Sequence, residues 1–115
     1  MTRSKYGNRI TYVDGIKFAS QAEALRYQEL KLMLYAGEIS NLRLQPRYDL
    51  QPAFTTISGK RIRAIKYVGD FEYIDNVAQQ LITEDVKGVE TSTFKLKHKM
   101  FMFKYGREIK LVRAR

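Results

Sequence analysis

The chain has 115 residues, enough for one compact domain and too few for two. It holds 21 Lys and Arg against 12 Asp and Glu, a formal charge of +9 that draws polyanions and favours nucleic acid as partner. Without Cys, disulfides and thiolate metal sites are excluded, and a hydrophobic share of 44 % excludes wholesale disorder.

In chain order, the N-terminal MTRSKYGNRITYVDG lacks an apolar core, so no signal peptide is expected. No apolar run approaches the ~20 residues of a membrane span, and a soluble, cytoplasmic protein is expected. An anionic membrane surface suits the charge less well, because no strongly amphipathic basic helix stands alone. Residues 10–18 (ITYVDGIKF) read as a small hairpin, since Asp14-Gly15 suits a tight turn with positive φ. Ser20 to Ala36 reads as a helix with apolar positions at Leu25, Leu30, Met33 and Leu34. Ser20 is placed as its N-cap and Gly37 as its left-handed stop.

Leu44 to Phe54 (LQPRYDLQPAF) reads as an extended strand interrupted by two prolines, which suits an edge. Ser58-Gly59-Lys60 makes a turn, and the β-branched and aromatic Arg61 to Ile74 reads as one long strand. Asp75-Asn76 gives the next turn, Leu81 to Lys87 returns as a strand, and Gly88 breaks it. Thr93 to Tyr105 reads as a second helix with Phe94, Phe101 and Tyr105 along one side, although its alternating Lys-Leu-Lys stretch also fits a strand. Glu108 to Arg113 closes as a short strand. The expected whole is a single α/β domain over residues 1–115, a mixed sheet with a helix on each side.

Two segments carry chemistry. In Glu84-Asp85-Val86-Lys87, strand alternation puts Asp85 and Lys87 on one face and Glu84 on the other. Pairing through the Asp75-Asn76 turn brings Asp70 towards Asp85. Two carboxylates so placed repel unless a cation lies between them, and oxygen ligands select a hard ion, Mg²⁺ or Mn²⁺. A lysine two residues on orients or activates a water beside that ion. Asp70 within a β-prone run asks for a partner, because an unpaired buried carboxylate is costly. Against these stand plainer readings, a turn-adjacent surface aspartate and an Asp85–Lys87 surface ion pair. Glu84 is treated as peripheral.

Asp70, fourteen intervening residues and then Asp85-Val86-Lys87 resemble the PD-(D/E)XK nuclease signature. With FASQAEALRYQELKLMLYAGEISNLRLQP, YVGDFEYI and EDVKG, most of the chain resembles short phage and prophage proteins of that superfamily. Similar cores occur in Holliday-junction resolvases, phage endonuclease I and the TnsA-type transposon endonucleases. The chain departs from the signature in carrying Val68-Gly69, with no proline, before Asp70.

The resemblance implies a restriction-endonuclease-like core and a Mg²⁺-dependent (or Mn²⁺-dependent) endodeoxyribonuclease that leaves 5′-phosphate and 3′-hydroxyl ends. It implies Asp70, Asp85 and the Val86 carbonyl as metal ligands and Lys87 as the residue positioning water. It adds Glu23, directly or through water, although Ser20-Gln21-Ala22-Glu23 equally fits a capping box that turns the carboxylate back to the Ser20 amide. Branched DNA, Holliday junctions included, is the substrate that the relatives suggest, and a homodimer fits the cutting of two strands. Lys95 and Lys99, one turn apart on the second helix, and Arg61 and Arg63, on alternate strand positions, are assigned to DNA phosphates. His98, the one histidine, reads as a packed or exposed residue. The rival readings are a non-catalytic DNA-binding module on the same fold and an RNA-processing factor.

Overall fold

The computed structural model describes residues 9–114. Residues 1–8, part of the stretch read for a leader, and residue 115 lie outside the described residues. Among the latter, no helix is long and apolar enough to cross a membrane.

A small hairpin, β1 (Thr11–Val13) and β2 (Ile16–Phe18), leads into helix α1 (Gln21–Tyr35). Its turn is Asp14-Gly15, both with positive φ (54° and 75°), as an Asp-Gly hairpin turn requires. The Ser20 hydroxyl caps α1 by accepting from the Glu23 amide at 3.1 Å, and Gly37 at φ 78° ends it. The helix buries Ala24, Tyr27 and Leu30, whereas Leu25, expected on the apolar stripe, is exposed. Tyr27 takes the inward position, its ring 5.1 Å from Phe18.

The chain then makes one long hairpin in three stretches. Its outgoing limb is β3 (Ile39–Leu44), β4 (Arg47–Gln51) and β5 (Phe54–Thr55). Its return limb is β6 (Arg61–Ile62), β7 (Ile65–Val68) and β8 (Phe71–Asp75). The single strands expected over residues 44–54 and 61–74 are therefore each broken. Pro46 and Pro52 interrupt the outgoing limb, since proline supplies no ladder N–H, and the return limb breaks opposite them. Arg63 consequently lies in the link between β6 and β7, not on a strand. Strand β3 also begins earlier than expected and carries a register shift between Ser40 and Arg43, with Asn41 at φ 54°.

Residues 76–79 turn the chain into β9 (Gln80–Lys87), a longer turn than Asp75-Asn76 alone. Helix α2 (Ser92–Tyr105) follows, capped by Thr91 and ended by Gly106 at φ 70°, which settles the helix-or-strand alternative. Strand β10 (Lys110–Arg113) closes the chain. The main sheet has the order β10-β9-β8-β3, antiparallel except that β10 lies parallel to β9 after the α2 crossover.

Helix α1 covers one face of this mixed sheet through β3 and β9, whereas α2 packs against the β4–β7 ribbon. Phe18, Ala24, Tyr27, Leu30, Ile39, Phe71 and Tyr73 form the core under α1. Tyr48, Tyr67, Phe94, Phe101 and Ile109 form the core under α2. The protein is a small α/β domain.

Candidate active site

The site grows from a fork in the hairpin. The β8–β9 ladder ends at the pair Phe71–Glu84, so Asp85, Val86 and Lys87 continue β9 with β10 alone beside them. On the other side β7 diverges with β4. The amide of Gln45 donates to the Asp70 carbonyl and that of Gly69 to the Pro46 carbonyl, both at 2.9 Å, so the limbs stay joined through the bend. Asp70 sits in the bend, not within a strand. A proline at 69 would have no N–H to give Pro46. A side chain there is also crowded: a Cβ on Gly69 would lie 3.2 Å from Thr83 Cγ2.

Asp70, Asp85, Val86 and Lys87, read from the sequence as the core of a site, meet at this fork. The Val86 amide donates to Asp70 Oδ2 at 2.7 Å. A strand residue points its N–H and C=O to the same side, so the Val86 carbonyl also faces the fork. Asp85 is buried; its Oδ2 accepts from the Tyr67 hydroxyl at 2.5 Å, and its Oδ1 lies 3.5 Å from Lys87 Nζ. The Lys87 ammonium stands 4.5 Å from the Phe94 ring centre, at the start of α2. Asp70 and Asp85 are close enough to share a side-chain hydrogen bond.

Glu23 answers both of its readings in part. Its amide takes the Ser20 cap, while its carboxylate accepts from the Ala19 amide, one residue before the partner that a capping box calls for. The same carboxylate lies near enough to Asp85 and Lys87 to feel both charges.

The electrostatics follow from this crowding. Burial, then Glu23 and Asp85, push the Asp70 carboxyl up to about 7, with the Val86 amide opposing. Glu23 is also raised, first by burial and then by Asp85. Tyr67 is held protonated by burial and by the Asp85 carboxylate it donates to. Three carboxyls and one ammonium leave a local deficit of positive charge, which a proton or a cation makes good. Among the described residues no group of three His, Asp or Glu side chains forms a ready-made metal cage. The hard oxygen donors nevertheless suit Mg²⁺ or Mn²⁺ in kind, and the upward push on the Asp70 carboxyl reflects the site's demand for positive charge.

Glu84 points to the opposite face, as alternation requires, but is far from peripheral to the fold. Fully buried, it takes a bidentate pair from Arg26 of α1, at 2.8 Å from Nε and 2.7 Å from Nη2, and a hydrogen bond from Tyr73. Arg26 stands one turn beyond Glu23, so this ion pair fixes the helix that carries Glu23. Sequence reasoning missed Arg26 and Tyr67. The i, i+3 spacing from Glu23 pointed to the first; the second gives no sequence signal beyond a tyrosine in a β-prone run. On the α2 face, Tyr48 donates to Glu72 and meets Thr83, each at 2.6 Å, and Arg107 donates to Thr83 at 2.9 Å.

Of the basic residues, Lys95 and Lys99 are exposed on α2, which begins beside Lys87. Arg61 and Arg63 are exposed on the far arm of the hairpin, remote from the fork. His98 is structural, its Nε2 accepting from the Ile109 amide at 3.0 Å. A groove of about 580 Å³ between β1, α1 and β10 adjoins the fork through Val86 and is lined also by Tyr12, Leu25, Arg26 and Arg113, but by none of the three carboxylates of the fork.

Fold and fork define a small α/β domain with a carboxylate-and-lysine cluster at the bend of its central hairpin. The chain belongs to a family described as "Protein of unknown function (DUF1064)", whose profile matches residues 3–114. No curated protein and no solved structure matches it.

Proposed function

We propose that the protein is a metal-dependent endodeoxyribonuclease with a restriction-endonuclease-like core. The observation that carries this reading is the fork itself: Asp70, Asp85 and Glu23 crowd together beside Lys87, and Asp70 is pushed up to about 7 by the crowding. Such perturbation among crowded carboxylates supports the reading of a functional site.

Asp70, Asp85 and the Val86 carbonyl would hold Mg²⁺ or Mn²⁺, with Glu23 reaching it directly or through water. The bound ion supplies Lewis-acid stabilisation to the charge that builds on the phosphodiester. Asp70 would be held as the carboxylate by such an ion. Tyr67 holds Asp85 in one orientation, and Lys87, fixed between Asp85 and Phe94, orients the attacking water. Water adds to phosphorus, the 3′ oxygen leaves with a proton, and the products are a 5′-phosphate and a 3′-hydroxyl. The charge of +9, with Lys95 and Lys99 flanking the site and Arg61 and Arg63 farther out, serves the DNA backbone. Branched DNA is the leading substrate, by analogy with the resembling nucleases, as are a homodimer and a phage or prophage protein working in the host cytoplasm.

A second reading, a non-catalytic DNA-binding module on the same fold, draws on the engagement of both Asp85 oxygens by Tyr67 and Lys87. Purified protein incubated with supercoiled plasmid and a four-way junction, in Mg²⁺, Mn²⁺ or EDTA, separates the two. Cutting that needs the divalent ion, and is lost in Lys87→Ala while DNA binding persists, is the expected result. Binding without cutting under either ion gives the second reading the lead.

A further inference from the structure

The far end of the long hairpin has no part in the core. Strands β5 and β6 pair only with each other, and no helix covers them. Their turn is nevertheless firmly built. The Thr56 amide donates to the Lys60 carbonyl and that of Gly59 to the Thr56 carbonyl, each at 2.9 Å. The Lys60 amide also donates to Thr56 Oγ1 at 3.0 Å, and Gly59 takes φ 91°. At the apex of this braced turn stands Ile57, 109 % exposed, with Phe54 half-exposed behind it. A branched aliphatic held fully in water contributes nothing to folding, since burying it would have gained ~2 kcal/mol.

Charge says what the tip meets. Between Leu50 and Tyr67 the sequence holds Lys60, Arg61, Arg63 and Lys66 and no carboxylate. Lys66 is near Asp49 at 3.8 Å, while no ion pair engages Lys60, Arg61 or Arg63 among the described residues. A single apolar side chain at a hydrogen-bonded turn, ringed by unpaired cations, suits a polyanion with an apolar interior between stacked bases. Proteins that enter the minor groove combine these parts, cations on the phosphates and one apolar side chain pushed between base pairs. A docking site for protein would call for a wider apolar patch than one isoleucine and part of a phenylalanine. Along the strands the tip stands up to roughly 30 Å from Asp70, at ~3.3 Å per residue, or about nine base pairs at ~3.4 Å each.

We propose that the β5–β6 tip is a DNA-deforming wedge, with Ile57 entering the minor groove of duplex DNA and Lys60, Arg61 and Arg63 holding the adjoining phosphates. It rests on the reading of the protein as one that acts on DNA, but not on the acidic cluster being catalytic.

The test is equilibrium binding in EDTA, where no cutting occurs, to a 30-base-pair duplex carrying a fluorophore pair at its ends. A parallel set of duplexes carries 2-aminopurine at successive steps. Wild-type protein should raise both end-to-end energy transfer, through a kink of ~20–90°, and 2-aminopurine emission, through unstacking. Ile57→Ala should lose both signals with affinity reduced no more than about fivefold, and circular dichroism should show its fold unchanged. Arg61→Ala with Arg63→Ala should weaken binding tenfold or more and lower the salt slope by ~2. Binding by the wild type with neither signal, or equal signals from Ile57→Ala, overturns the wedge. Failure of the wild type to bind duplex DNA at low salt overturns the wedge, while the nuclease reading stands or falls on the plasmid and junction assay. Kinking by a protein that never cuts overturns the nuclease reading alone.

Discussion

Replacing Asp70 by Asn should make the metal-free protein more stable, and the gain should depend on pH in a fixed direction. The folded protein holds the Asp70 proton up to about 7, against an ordinary value of 3.8. A group whose folded value is raised binds protons more tightly in the native state. Its stabilising share is therefore complete below pH ~4, is lost as pH rises towards ~7, and stays lost above that. At ~1.4 kcal/mol for each unit, the native state forgoes at most on the order of 4 kcal/mol at pH 8. Asn imitates the protonated acid, because its carbonyl still accepts from the Val86 amide and its NH₂ donates to Asp85. We expect about half the limit, ~2 kcal/mol or roughly 8 °C in Tm, since the neighbouring carboxyls relax in part. Thermal unfolding of both proteins in EDTA at pH 4, 5.5, 7 and 8 checks this. The curves should coincide near pH 4 and separate by pH 8. Added Mg²⁺ should then raise the wild-type Tm at pH 8, do so far less at pH 5, and leave Asp70→Asn unmoved. A wild type that gains stability from pH 5 to pH 8 in EDTA, or an Asn variant less stable than wild type at pH 8, would refute the reasoning.

Tyr67→Phe keeps the core ring but takes the donor from Asp85; plasmid nicking at saturating Mg²⁺ should slow at least tenfold, with ~1–2 kcal/mol lost in urea unfolding. An undiminished rate would leave Tyr67 a core residue only. Arg26→Met strands a buried Glu84 and should cost ~3–5 kcal/mol by denaturant titration, whereas adding Glu84→Gln should restore much of it; equal losses in the two variants would mean that the ion pair is not the reason. Gly69→Pro should cost ~2 kcal/mol or more by removing the donor to Pro46 and crowding Thr83, so restoring the signature's proline should harm this chain. A proline variant as stable as wild type would show that the bend does not depend on that amide.

Local signals were readable to the extent that they were local. Asp14-Gly15, the Ser20 cap, Gly37 and the burial of Phe94 and Phe101 along α2 all rest on residues within a few positions of one another. The breaks in the hairpin do not. Nothing inside Arg61–Ile74 except Gly69 announces an interruption, since the cause sits on the opposite limb at Pro46 and Pro52. The parallel placement of β10 is likewise decided by the α2 crossover and not by any residue of β10. For the cluster, alternation separated Asp85 from Glu84 correctly, yet missed that Asp70 lies in a bend. The Glu84 side chain looked idle because Arg26, its partner, is 58 residues away in sequence.

Both outer edges of the main sheet are poor templates for a further strand. Strand β3 is interrupted by its register shift at Ser40–Arg43, and β10 is four residues long with Lys110 and Arg113 exposed on it. Two copies meeting edge to edge would find a bulge on one side and like charges on the other. Extension of the main sheet by a strand from a second chain is therefore disfavoured at both edges.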